Sequence, residues 1–409
     1  MKKFLALLLS LVMVLALVAC GDKKDDANTD DQDNNDAADF KVGFIMLHDE
    51  NSTYDLNFIN AAKAACEKLG VEYTIVTNVP EGQECYDKAA ELADAGCNII
   101  FADSFGHEDY MIQAAKDFPD VQFCHSTGTK AHTEGLSNYH NAFASIYEGR
   151  YLAGIAAGMK LNEMIANGEF TADEAKIGYV GAFTYAEVVS GMTSFYLGAR
   201  SVCPSATMKV RYTGSWYDQG KEQEAATALI KNDKCVLISQ HADSLGAPTA
   251  CEQAGVPNVS DNGSTYTAGE NTFMVSSAIN WAPYFQYIIE TFCKGEKIAA
   301  DWCGNIATNS VVLTGLNLDV VAAGTDAKIN EAIAAFKAGT LHVFDTSKFT
   351  VGGKTLTEYL ADVDGDFKGE TNVIHDGYFD ESNAVDFRSA PYFDIIIDGI
   401  TNLNTNYGN

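Results

Sequence analysis

The stretch "IIFADSFGHEDYMIQAAKDFPDVQFCHSTG", residues 99–128, reads as a strand, a helix and a second strand. Residues 98–102 and 121–124 are short apolar runs without alternation, as expected of strands covered on both faces of a sheet. The segment between them, 108–118, has the length and spacing of a helix. Two strands joined through a helix make a parallel βαβ unit, so this stretch predicts an α/β fold.

Outward from this unit the same alternation continues. Apolar runs at 42–47 and 73–76 precede it, with helical stretches near 55–69 and 82–95. The first helix places Phe58, Ala62, Ala65 and Leu69 on one face. A long helical segment at 146–166 follows, and then the pattern restarts. Strands are predicted at 176–183, 209–212, 235–240 and 256–260, with helices near 186–201, 220–232 and 245–254. Two tandem series of about four strands each predict two doubly wound parallel-sheet lobes. "FMVSSAI" (273–279) adds a strand and "WAPYFQYIIETFCKG" (281–295) a helix, whose stripe Phe285, Ile288, Ile289 and Phe292 is core. A further helix is expected at 325–338. The last seventy residues, rich in Gly, Asp and β-formers, predict hairpins and loops.

The N-terminus carries an export signal. Lys2 and Lys3 precede an apolar stretch, 4–18, too short to span a bilayer. It ends in Leu17-Val18-Ala19-Cys20, which resembles a bacterial lipobox. Removal of residues 1–19 would leave Cys20 as an acylated N-terminus; an ordinary secretory signal is the alternative. Residues 21–39 contain eight Asp and two Lys and almost nothing apolar, so 20–39 is expected to be a disordered acidic tether. "DDQDNND" within it lacks the Gly and terminal Glu of a calcium-binding loop.

A formal charge of −29 excludes nucleic acid and anionic membrane surfaces as partners. Apart from Cys20, nine cysteines are scattered at 66, 85, 97, 124, 203, 235, 251, 293 and 303. They form no Cys-x-x-Cys and no Cys/His cluster at zinc-ligand spacing. Cys66, Cys97 and Cys235 sit in apolar or helical contexts that suit small buried hydrophobes.

In open α/β sheets, ligands bind beyond the carboxyl ends of the strands. The loops there are "HDENSTYDLN" (48–57), "DSFGHED" (103–109), "HSTGT" (125–129), "TYAE" (184–187), "GSWYD" (214–218), "QHADS" (240–244), "DNGS" (261–264) and "NW" (280–281). They mix aromatic rings with Asp, Asn, Gln and His, a composition that suits a flat heterocycle stacked on its faces and hydrogen-bonded at its edges. The candidates drawn from them are Asn51, Tyr54, Ser104, Phe105, Gly106, His125, Phe183, Glu187, Trp216, Asp218, Gln240, His241, Asp243, Asp261 and Trp281. Each ring also has a packing alternative: Trp216 and Trp281 as core caps, Tyr54 against the first helix.

Enzyme readings find little support. "GSTYTAG" is not a Gly-x-Ser-x-Gly elbow, and there is neither a Walker loop nor a Gly-x-Gly-x-x-Gly after the first strand. His125 with Asp103, or His241 with Asp243, are acid/base pairs only on paper. His48, Asp49 and Glu50 lack a second His at ligand spacing, so no metal or other cofactor is expected.

The 99–128 stretch resembles the basic membrane protein family of ABC-transporter solute-binding lipoproteins. So do "IYEGRYLAGIAAG" (146–158), "YVGAFTYAEVVSGMTSFYLGARSVCP" (179–204), "GSWYDQGKEQEAATALI" (214–230), "ISQHADS" (238–244) and "NWAPYF" (280–285). The resemblance implies a type I periplasmic-binding-protein fold, with two lobes, three crossings and a ligand in the cleft. It also implies that Tyr54 and Trp216 stack on opposite faces of a purine, that Asn51, Ser104 and Phe105 address its edge, and that Asp261 holds ribose. Nucleoside-binding members carry a Lys where this chain has Asn280-Trp281, which favours a free nucleobase such as adenine over a nucleoside.

The expected organisation follows. Residues 40–146 plus 276–300 form the N-terminal lobe, 147–275 plus 301–340 the C-terminal lobe, and 341–409 an extension packed on a lobe. The expected function is capture of a purine-like ligand for an ABC permease and its ATPase, from the extracytoplasmic face of the cell membrane. The alternatives are a nucleoside-processing hydrolase, a surface sensor or adhesin, and a binder of riboflavin or a sugar.

Overall fold

The chain alternates strand and helix from β1 (Lys41–Ile45) through α1 (Thr53–Leu69), β2 (Glu72–Val76), α2 (Gln83–Asp94), β3 (Ile99–Ala102), α3 (Glu108–Asp117), β4 (Gln122–Ser126) and the short α4 (Ala131–Glu134) to β5 (Tyr139–Ala144). Helix α5 (Ile146–Ala166) leads into a second series. This comprises β6 (Lys176–Gly181), α6 (Ala186–Val202), β7 (Thr207–Tyr212), α7 (Gln219–Lys231), β8 (Leu237–His241), α8 (Gly246–Ala254), β9 (Asn258–Asp261) and β10 (Phe273–Ile279). Then come α9 (Ala282–Cys293), β11 (Asp301–Gly304), β12 (Val311–Leu313) and α10 (Thr325–Lys337). This computed structural model describes residues 40–381 and 387–404. The expected signal peptide (1–19), Cys20 and the tether to residue 39 lie outside the described residues, as do 382–386 and 405–409 of the extension.

The strands form two separate sheets. The first has the order β11-β5-β4-β3-β1-β2, and all its pairs are parallel. In the second, β10-β9-β8-β6-β7 is parallel and β12 lies antiparallel on β10. Strands β5, β11 and β12 were not anticipated: His140 and Asn141 interrupt the apolar run of β5, and β11 and β12 are only four and three residues long.

The expected lobe boundaries shift. Residue 276 falls inside β10, which pairs in the second sheet through Ile279, and residue 301 begins β11, which pairs in the first. The sheets therefore divide the chain near 280 and 305.

The extension is not confined to one lobe. It contains β13 (Leu360–Ala361), β14 (Thr371–Asn372), β15 (Ile374–His375), β16 (Tyr378–Phe379) and β17 (Ile400–Asn402). Ser389 N donates to Asp301 Oδ1 at 2.8 Å, on the first sheet. Tyr147 Oη, on α5, donates to Glu381 O at 3.4 Å, and β17 joins the second sheet beside β7. Two more passages between the lobes are thus added to the three nearer the hinge.

Local chemistry explains the elements that frame the cleft. Ser52 caps α1 by accepting from Asp55 N, and its own hydroxyl donates to Asp55 Oδ2 at 2.6 Å. Helices α5 and α6 meet at glycines: a Cβ on Gly198 would lie 2.0 Å from Tyr151 O, and one on Gly154 2.1 Å from Phe195 O. Only glycine allows backbones this close. In the first lobe, Phe44 stacks on Phe101 with ring centroids 5.1 Å apart, and Phe285 fills the space above both.

Candidate binding site

The carboxyl ends of both sheets face one cleft, nearly closed between the lobes, with about 390 Å³ of space including its open mouth. The first lobe supplies Leu47, His48, Tyr54, Asp55, Ser104, Phe105 and Thr127; the second supplies Glu187, Trp216, His241, Asp243 and Asn262. The lobes touch across it. Thr53 N donates to Asp243 O at 3.2 Å, and the rings of Phe105 and Tyr185 lie 5.2 Å apart. His48 and Tyr217 lie at 5.5 Å.

Its rings are held by packing and hydrogen bonds. Tyr54 rests against Phe58 at 5.0 Å and its hydroxyl donates to Asp103 O at 2.7 Å. Trp216 packs edge-on to Phe183 at 5.0 Å, and Phe183 stacks on Tyr185. Such rings offer faces worth roughly 1–3 kcal/mol to a stacked base.

The polar groups are set by burial. In the Asp55/Asp103 pair, burial pushes the Asp103 carboxyl well up, and the charge on Asp55 adds to this. Burial also opposes ionisation of Asp55, but hydrogen bonds from His48 and Ser52 outweigh it and hold its carboxyl below the usual range. Asp55 therefore carries the charge. Asp243 is raised well above the carboxylate range by burial and then by Asp55, Glu222 and Asp261. Its Oδ1 accepts from Asn262 Nδ2 at 3.2 Å. A neutral carboxyl here can both donate to and accept from a ligand edge. His241 Nε2 lies 3.6 Å from Glu187 Oε1 and 3.8 Å from Asp261 Oδ2.

Seven of the sequence-derived candidates line this cleft: Tyr54, Ser104, Phe105, Glu187, Trp216, His241 and Asp243. The others are placed elsewhere. Asn51 is exposed and donates to Asp49 at 2.7 Å. Gly106 N donates to Glu81. His125 is fully buried, and its Nε2 is 2.6 Å from Ser104 O. Phe183 backs Trp216. Asp218 caps α7 by accepting from Lys221 N. Gln240 is buried and donates to Ala242 O and Ser244 O.

Two corrections carry most weight. Trp281 does not fill the cleft: it is 1% exposed and stacks on Phe58 at 4.4 Å in the first-lobe core. Asp261 faces Arg150, whose Nη1 lies 3.1 Å from its Oδ1. Arg150 also donates to Ser260 O, Ser277 Oγ, Tyr179 Oη, Ser239 Oγ and Gln240 O. The paper pairs of acid and base are not formed either: His125 bonds Ser104 O, and His241 faces Glu187 and Asp261.

Leu47, His48, Asp55, Thr127 and Asn262 are not among the ligand-binding candidates, although four of them sit in the quoted loops and His48 is weighed only as a metal ligand; Leu47 ends the first apolar run. Away from this cleft, one carboxylate oxygen each of Asp362, Asp364 and Asp366 lie within 4.8 Å of one another, a cluster that exposed acids form without a metal.

Residues 43–337 match the Bmp family, described as ABC transporter substrate-binding protein, PnrA-like. This chain belongs to that family. A purine-binding protein of Brucella abortus is 37% identical over 60% of this chain and 66% of its own length. A putative ABC transporter glucose-binding protein of Haloferax volcanii is 30% identical over 73% of this chain and 72% of its own. Solved ABC transporter solute-binding proteins from Aeropyrum pernix (TM-score 0.63, 14% identity, 75% of this chain, 93% of that one) and Conexibacter woesei (TM-score 0.59, 21% identity, 74% and 97%) share its fold. The Bmp chain thus has the type I periplasmic-binding-protein fold, and its family is one of extracytoplasmic solute-binding proteins that serve a permease. Among the described residues no helix is long and apolar enough to cross a membrane.

Proposed function

We propose that this Bmp protein is a lipid-anchored receptor that captures a purine-like ligand, a nucleobase such as adenine or a nucleoside, and presents it to an ABC permease. The observation that carries this reading is the convergence in one interlobe cleft of three rings, Tyr54, Phe105 and Trp216, with edge groups from Asp243, Asn262 and His241. Rings for the faces and paired donors and acceptors for the rim suit a flat heterocycle. The purine-binding relative from Brucella abortus supports the same class. A ligand touching both lobes stabilises the closed form, so capture needs no chemical step. Cys20 would hold the receptor at the membrane through its acyl chains.

The test is mass spectrometry of ligand released from the purified protein, with a thermal-shift panel of purine bases, nucleosides, riboflavin and glucose. A shift with purines is expected. Stabilisation by riboflavin or glucose alone would remove the purine assignment, and release of free base from a nucleoside would make the protein an enzyme.

A further inference from the structure

The cleft adjoins a second chamber whose far wall lies beyond the family match, which ends at residue 337. The chamber occupies about 1190 Å³ including its mouth and shares Phe105, Thr127 and Glu187 with the cleft. Its far wall is the C-terminal extension, through Tyr359, Asp362, Arg388 and Asp394. The extension is fixed there from both sides: Ser389 is hydrogen-bonded to Asp301 on the first sheet, and β17 is paired with β7 on the second.

The lining chemistry selects a ligand. Glu187, Asp362 and Asp394 bring three carboxylates, whereas Arg388 is the one cation among the described lining residues. Arg388 is buried and already engaged: Nη1 donates to Asp362 Oδ2 at 3.0 Å and Nη2 to Pro391 O at 2.6 Å. Glu187 and Asp394 are left as acceptors without a cation from the wall, beside the hydroxyls of Thr127, Thr129 and Tyr359. Tyr359 Oη donates to Asp394. Hydroxyl groups satisfy carboxylate acceptors, while a phosphate would meet like charge in a partly desolvated space.

We infer that the C-terminal extension is part of the binding site, and that its chamber takes a neutral, polyhydroxylated arm carried by the ring held in the cleft. The inference rests on the planar-ring reading of the cleft. The arm has two chemical sources, the sugar of a nucleoside and the ribityl chain of a flavin.

Calorimetry on the full chain separates the possibilities, using adenine, adenosine and adenosine monophosphate, and lumichrome against riboflavin. The arm-bearing member of one pair should bind at least about tenfold tighter than its bare ring, a gain of about 1.4 kcal/mol. The monophosphate should bind at least about tenfold more weakly than adenosine. Asp394→Ala, at an exposed position, should abolish most of the gain and leave the bare ring's affinity unchanged. Tyr359→Phe is the second variant and should act in the same direction. Equal affinity of ring and arm-bearing compound, an equal loss for both in the variants, or tight binding of the monophosphate would overturn the inference and leave the ring reading standing. Binding of none of these compounds would remove the ring reading and the inference together.

Discussion

The guanidinium of Arg150 lies 3.1 Å from the carboxylate of Asp261, and both side chains are buried. Arg150 enters from α5, the first helix after the chain leaves the first lobe, and Asp261 ends β9. Burial opposes the arginine's charge, but Asp261 and Tyr179 outweigh it and hold the group protonated. Removing one partner of such a pair leaves a buried charge uncompensated. Arg150→Met should therefore cost roughly 3–5 kcal/mol, read by urea unfolding. A loss below about 1 kcal/mol would mean that the pair contributes no more than a surface bridge.

Trp216 and Trp281 should separate binding from stability. Trp281→Ala empties a core site stacked on Phe58 and should cost roughly 3–5 kcal/mol of stability while leaving ligand affinity nearly unchanged. Trp216→Ala should do the reverse, weakening binding of a stacked base by roughly 1–3 kcal/mol with little change in Tm. Calorimetric binding and thermal unfolding of both variants decide this. Equal effects on affinity would return Trp281 to the cleft.

The difference between those tryptophans shows what the sequence could and could not reveal. Buried parallel strands are continuous apolar runs, so β1, β3, β6 and β10 stood out, and the residues after them had to face the strand ends. Loop membership is a property of order along the chain. Direction within a loop is a property of packing: Trp281 turns inward because Phe58 and Phe143 offer it an aromatic slot. Asn51, three residues from Tyr54, turns outward to Asp49. Asp261 looked like a free carboxylate because its partner, Arg150, is 111 residues away. The extension's composition pointed to hairpins and loops, which β13/β14 and β15/β16 supply, but not to its position, since its strands are two or three residues long and its placement depends on contacts with both lobes.

Thiol chemistry offers an independent check of the core. Cys66, Cys85, Cys97, Cys124, Cys203, Cys235 and Cys251 are buried and unpaired. Burial pushes Cys66 and Cys235 up to about 12 and raises Cys85, Cys97, Cys124 and Cys251 as well. A thiol must ionise to react. These seven should resist a thiol reagent at pH 8 in the native protein and all label in urea, as peptide mapping would show. Rapid native labelling of any of them would place it at the surface, and a mass loss of two hydrogens would reveal a disulfide.

Stability should peak in mild acid. Burial pushes His107 and His140 down to about 4, so both are neutral in the folded protein. The unfolded chain binds their protons below about 6.5, and the stability they confer is lost as pH falls from there towards 4. Burial pushes Glu148 and Glu222 up to about 7 and Glu381 up to about 8. These groups are protonated in the fold and ionise near 4.5 when unfolded, so their stability is present below that value and lost as pH rises through 7 and 8. Among these five groups the histidine slope alone acts below about 4.5 and the carboxyl slope alone above about 6.5, which puts their combined maximum between. Glu222 accepts from Asp218 N and Ser244 N, which a neutral amide oxygen can also do. Glu222→Gln should therefore keep the fold and flatten the decline between pH 5 and 7, measured as unfolding free energy against pH. A variant with an unchanged slope would show that Glu222 is already ionised in the folded protein.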